Sequence, residues 1–218
     1  MKTILSFLTQ LEENNTREWF NDNKAVYEEA RSHFESFINL LIVKIKEFDP
    51  EIDVNGAKEC VFRIYKDVRF SKDKSPYKTN MGAYIAKGGR KSELAGYYMH
   101  IEPEGSFAGG GIYCPQPAVL KKIREDIYSQ PEDIKAILNE KSFKASFPEL
   151  YGDRLKTVPK GYPKDFKDGE LLKFKDYTVI KYLSDKDILS DTLSDKVIAI
   201  FKIQKPFNDY LNKAVNNG

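Results

Sequence analysis

The sequence predicts an α+β fold, a mainly antiparallel sheet packed by amino-terminal and carboxy-terminal helices, and three observations carry that reading. Apolar residues recur at helical spacing over residues 1–49, at alternating spacing over 58–115, and at helical spacing again through much of 116–218. No strand–helix–strand repetition of the doubly wound kind interrupts this order, so strands segregate from helices. Among 218 residues, 41% are hydrophobic, with 14 Phe and 13 Tyr, enough bulk to fill a core without a disulfide or metal staple. One domain is expected, with a helical part at 1–49, the sheet at 58–115, and a helical and loop-rich part at 116–218.

Each element follows from local chemistry. Thr3 can cap a short helix whose Ile4, Leu8 and Leu11 share a face, and Asn14, Asn15 and Thr16 break it. Asn15 with Glu18 three residues later has capping-box spacing and opens a helix beginning at Trp19 and Phe20. From Lys24 onward Tyr27, Ala30, Phe34, Phe37, Ile38, Leu41 and Ile45 form one buried stripe, ending before Pro50. After the turn signal Asn55-Gly56 the period becomes two, and residues 60–66, 81–86, 97–102 and 107–114 read as strands, the last two joined at Glu104-Gly105. Gly109-Gly110-Gly111 is a poor strand centre and implies a bulge or a backbone pressed against a neighbour or ligand; crowding by Trp19 or Phe20 accounts for it equally. Pro117 suits the first turn of a helix over 115–129, and a second helix follows Pro131. Residues 143–168 are irregular but apolar enough to lie against the body. Residues 177–183 read as a strand, and Ser184 or Ser190 can cap a last helix that Pro206 should end or kink.

Thirty-five Lys and Arg against 33 Asp and Glu give a formal charge of +2, which argues against a surface built as a whole for nucleic acid or an anionic membrane. Cys60 and Cys114 read as small buried strand residues. With His33 and His100 they are too few and too far apart for a Cys/His zinc site. Asp67, Asp73, Glu102 and Glu104 form no grouping that supports magnesium, so no metal and no cofactor is expected. The amino terminus lacks a signal peptide's continuous apolar core, and no apolar run is long enough to span a bilayer, so a cytoplasmic protein with reduced thiols is expected.

Chemistry concentrates in residues 63–78, where six bases face two acids. On a strand Arg63, Tyr65, Asp67 and Arg69 share parity. With Lys74 and Lys78 they supply the donors that a phosphate, sulfate or carboxylate needs; Tyr65 and Tyr77 would be walls, and Asp67 a positioner. The plainer reading is a solvated basic segment whose acids pair with neighbouring bases. His100 alternates with Tyr98 and Glu102 opposite Tyr97, Met99 and Ile101. It could act as a general base or acid, yet no motif specifies a partner, which favours a polar ring on a solvated or interface face.

The strings NNTREWFNDNKAVYEEAR (14–31), FRIYKDVRFSKDKSPYKTNMGAY (62–84) and YYMHIEPEGSFAGGGIYCPQPAVLKKIRE (97–125), with YPKDF and LLKFKDYTV further on, resemble a widespread bacterial and fungal family known only as a conserved domain of unknown function. The resemblance spans nearly the whole chain and implies one folded domain with no inherited catalytic residue. Its amino-terminal signature contains Trp19, Phe20 and Tyr27 as packing groups and Asn15 as a cap, while Arg17, Asn23 and Lys24 have no immediate structural reason. A pocket between this helix and the sheet would unite them with the basic segment. The expected function is binding of an anionic, phosphate-bearing small molecule. The alternatives are an unknown protein partner on the same surface, or a hydrolase or transferase with Asp67 or His100 as base.

Overall fold

A computed structural model describes residues 1–67, 69 and 72–217. The chain opens with three helices, α1 (Lys2–Glu13), α2 (Arg17–Asp22) and α3 (Lys24–Lys46). The buried faces of α1 (Ile4, Leu5, Phe7, Leu8, Leu11) and α3 (Phe34, Phe37, Ile38, Leu41, Ile45) follow the apolar spacing of the sequence. Two cap assignments change. Met1, not Thr3, occupies the cap position of α1, and Thr16 caps α2, its hydroxyl accepting the Trp19 N–H at 3.2 Å. Asn15 is thereby released for another task.

The sheet contains β1 (Met81–Ile85), β2 (Gly96–Ile101), β3 (Phe107–Ile112) and, after α4 (Pro117–Ser129), α5 (Pro131–Asn139), α6 (Lys141–Ser146) and α7 (Gly169–Leu172), β4 (Tyr177–Tyr182). It is antiparallel throughout, in the order β1-β2-β3-β4. The fold is α+β. Residues 60–66 do not form the expected first strand. The Phe62 N–H reaches the Gly82 carbonyl and the Tyr84 N–H reaches that of Cys60, covering the outer edge of β1 for one bridge. The chain then pairs with itself, Lys66 N–H to Pro76 and Lys78 N–H to Ile64. A local hairpin closes a shorter loop than extension of the sheet would, and residues 64–66 take that option.

One sheet face is buried: Ala83, Ile85, Tyr97, Met99, Ile101, Ala108 and Val179 lie in a connected core with α3 and α9 (Leu193–Asn217). The three glycines of β3 are explained by neighbouring backbone and not by Trp19 or Phe20. Gly110 and Gly111 hold φ of +146° and +109°, and a Cβ at Gly109, Gly110 or Gly111 would run into the carbonyl of Val179, Gly96 or Tyr177 respectively. Pairing with β2 continues without a bulge.

Ser184 caps a short α8 (Asp185–Ile188) in a reciprocal capping box with Asp187. The last helix starts only at Leu193 and runs straight past the expected stop at Pro206 to Asn217. Pro206 has no N–H to give the Lys202 carbonyl, and both residues are exposed. Phe201, Gln204, Phe207 and Asn208 hold the two halves of α9 to the body.

Candidate functional site

The basic segment is tied to the amino-terminal helices by Asn15. Its carboxamide behaves as a strand backbone would, donating to the Tyr77 carbonyl at 3.0 Å and accepting the Tyr77 N–H at 3.1 Å. Phe20 stacks on Tyr77 with ring centres 3.9 Å apart and meets Tyr27 at 4.9 Å, while Tyr65 lies 5.4 Å from Tyr77. Trp19, Phe20 and Tyr27 are packing groups, as is Tyr77, which is buried; Tyr65 stays half exposed. Burial, and secondarily Tyr65, push the Tyr77 phenol up, and the Arg17 charge opposes them.

Asn23 does have a structural reason: its amide donates to the Trp19 carbonyl at 2.9 Å, closing α2 where α3 begins. Lys24 reaches Glu28 at 3.9 Å on the surface, a pair of little weight. Beside Tyr27, Arg31 and Phe62 lies a space of about 10 Å³, room for one water, and neither Arg17 nor Lys24 lines it.

The polar segment divides in two. At its tip Asp67 accepts both the Arg69 Nε–H at 3.0 Å and Nη2–H at 2.6 Å, and the Arg69 hydrogen bonds hold its carboxyl down at about 2. Asp73 pairs with Lys66 and accepts the Ser75 N–H at 2.8 Å, with the same result. Lys74 is exposed on this loop. At the base stand Arg63 and Lys78, the Lys78 N–H given to the carbonyl of Ile64 at 2.8 Å. Burial, and after it the Arg63 charge, push the Lys78 ammonium below its ordinary value. Its Nζ lies 5.7 Å over the Phe62 ring, and among the described residues no carboxylate forms an ion pair with Lys78 or Arg63. Asp67, whose carboxyl feels the Arg63 charge, is already engaged by Arg69.

Phe62 leads onto the other face of the sheet. Aromatic rings follow one another from the covering segment across β2, β3 and β4: Phe62 to Tyr98 at 6.4 Å, Tyr98 to Phe107 at 5.6 Å, and Phe107 to Tyr182 at 6.1 Å. His100 is not the solvated ring expected of it. It is 9% exposed and stacked on Phe107 at 4.5 Å, with Nε2 3.1 Å from Glu102 and Nδ1 3.2 Å from the Tyr98 hydroxyl. Burial outweighs Glu102 and lowers its pKa, so the ring is neutral. An ionised Glu102 only accepts; hence Nε2 carries the proton and Nδ1 accepts from Tyr98. Gly82 makes room for this chain, since a Cβ there would strike the Tyr98 hydroxyl. The alternation of 98, 100 and 102 was legible in the sequence; the glycine opposite is the signal that was missed.

A second concavity lies away from these residues, an open cleft of about 1410 Å³ flanked by Tyr113, Cys114, Leu120, Tyr151, Arg154 and Tyr182. Cys60 is buried as expected, and burial pushes its thiol up to about 12. Cys114 is the correction: it is exposed, at φ +48°, with its N–H given to Asp176 Oδ1 at 2.6 Å. The cleft's walls come from irregular residues 146–154 and from β4, which no sequence period connects.

Among the described residues no three His, Cys, Asp or Glu side chains gather as a metal site requires, and no helix is long and apolar enough to cross a membrane. Residues 3–210 match the model of a family described as Conserved hypothetical protein (DUF2461). No curated protein and no solved structure matches the chain.

Proposed function

The chain belongs to the conserved hypothetical protein family DUF2461, and we propose that it binds an anionic, phosphate-bearing ligand in a shallow site where Arg63 and Lys78 meet the Phe62 and Tyr98 rings. One feature carries the reading: the Lys78 ammonium lies 5.7 Å over the Phe62 ring, depressed by burial and after it by the Arg63 charge, with no carboxylate paired to either cation among the described residues. Folded proteins seldom leave like charges together uncompensated, and an anion between them would relieve the repulsion through charge-assisted hydrogen bonds. Phe62 and Tyr98 offer an apolar wall for the remainder of the ligand. The geometry gives no support to Asp67 or His100 as a base, one being held near 2 by Arg69 and the other enclosed with both nitrogens occupied.

The test is thermal melting and titration calorimetry with pyrophosphate, ADP and a sugar phosphate. A ligand at a hundred times its Kd adds about 2.7 kcal/mol of stability. Stabilisation of the parent by one of these, reduced at least tenfold in affinity by Arg63→Ala and by Lys78→Ala, is the expected result; binding undiminished in both variants, or none by any of the three, defeats the reading.

The alternative of a protein partner on the same surface is favoured by one feature, that Phe62 and Tyr65 are 38% and 52% exposed. It gains if small phosphates leave the melting temperature unchanged. Two free cysteines support a cytoplasmic location on this reading.

A further inference from the structure

β4 is covered along only half of its outer edge. The Tyr151 N–H donates to the Thr178 carbonyl at 2.8 Å, and the Thr178 hydroxyl donates to the Tyr151 carbonyl at 2.7 Å. Backbone groups alternate in direction along an antiparallel strand, so the N–H and C=O of Thr178, Ile180 and Tyr182 face away from β3. Leu183, one residue on, faces inward, its N–H reaching the Ser106 carbonyl at 2.8 Å, which agrees with that phase. The covering segment does not follow β4 further. Toward its amino end Leu150 is buried and Pro148 has no N–H to give.

Two consequences follow. Among the described residues nothing pairs with the outward N–H and C=O of Ile180 and Tyr182, whereas the opposite edge of the sheet, β1, is covered by residues 60–62. The bare half-strand also opens directly into the cleft of about 1410 Å³, which Ile180, Lys181 and Tyr182 line. Tyr113, Tyr151 and Tyr182, 70%, 50% and 66% exposed, stand around it. Its charges are settled with one exception: Arg154 pairs with Glu149, Lys175 with Asp153, and Asp176 accepts from Cys114, while Lys181 forms no ion pair among the described residues.

We propose that this cleft binds an extended peptide segment of a partner protein, which adds a strand to the free half of β4 and sets a carboxylate side chain against Lys181. Main-chain pairing to Ile180 and Tyr182 supplies affinity, and the tyrosine walls receive alternate side chains. The site is separate from the Arg63 and Lys78 cluster and stands or falls without it.

Panning a random heptapeptide library on the full chain tests the proposal. Synthetic copies of enriched peptides are then measured by fluorescence anisotropy and by amide hydrogen exchange. Enriched peptides should carry an acidic residue, slow exchange at the Ile180 and Tyr182 amides, and bind Arg63→Ala as well as they bind the parent. Ile180→Pro removes an outward N–H while leaving the pairs to β3 in place, so it should weaken binding at least tenfold. Lys181→Glu keeps the fold by a route independent of proline and should reverse the preference from acidic to basic peptides. The proposal is overturned by a panned library with no binder, by protection that falls elsewhere, or by Lys181→Glu retaining the acidic preference. It is equally overturned by light scattering that shows a dimer with both amides protected before any peptide is added, since a second copy then occupies the edge.

Discussion

Asn15 illustrates how one side chain can connect two parts of a chain. Sixty-two positions separate it from Tyr77, and its amide supplies both hydrogen bonds that a neighbouring strand would give to that residue. Asn15→Ala leaves a partly buried N–H and C=O without partners, at a cost of about 1–3 kcal/mol for each group whose desolvation is not made good, less whatever water recovers. A loss of about 2 kcal/mol in urea unfolding is expected, with the Phe20 and Tyr77 stack loosened. Asn15→Asp keeps the acceptor and loses the donor, so it should fall between the two. A loss below about 0.5 kcal/mol for Asn15→Ala would mean that water replaces the carboxamide. Asn15 reads as a cap because its spacing to Glu18 is a local pattern, whereas a clamp on a distant backbone leaves no periodic trace. The same limit hid Gly82, whose missing Cβ matters only to Tyr98 on the next strand.

Elements were legible where one period decides them. The stripes of α1, α3 and α4, the alternation of β2 and the strand at 177–182 follow hydrophobic spacing alone. Residues 60–66 alternate just as well and yet form only bridges, because pairing depends on which partner is nearer in the fold and spacing carries no such information. Pro206 is the converse case, a strong local stop overridden by burial on both sides of it. Proline in a helix interior is about 3 kcal/mol less favourable than alanine, a cost lessened here by the position of Pro206 and Lys202 on the exposed side of the helix and by the stiffer unfolded chain. Pro206→Ala should therefore raise stability by about 1–2 kcal/mol, read as a higher melting temperature. Destabilisation instead would show that Phe201 and Phe207 need the geometry proline imposes.

At the scale of the molecule, α9 decides whether the parts unfold together. It buries eleven side chains, among them Phe201 against Tyr97 at 5.0 Å, and Gln204, whose amide donates to the Gly96 carbonyl at 3.0 Å beside Gly110. Lys44 of α3 pairs with Asp195 of α9 at 2.5 Å, and the core passes from α1 through α3 to the sheet and α9 without a break. An amino-terminal helical part that melted by itself would expose Phe34, Ile38 and Leu41, a face that α9 and the sheet complete, and each such side chain is worth about 1.5–3 kcal/mol when fully buried. Separate melting would therefore forfeit most of the stability of both parts. Scanning calorimetry should accordingly give one transition whose calorimetric and van't Hoff enthalpies agree, and Asn15→Ala and Pro206→Ala, at opposite ends of the chain, should move that transition as a unit. Two resolved transitions, with Asn15→Ala shifting only one of them, would divide the chain into two domains and sever the basic segment's support from the sheet that carries both proposed sites.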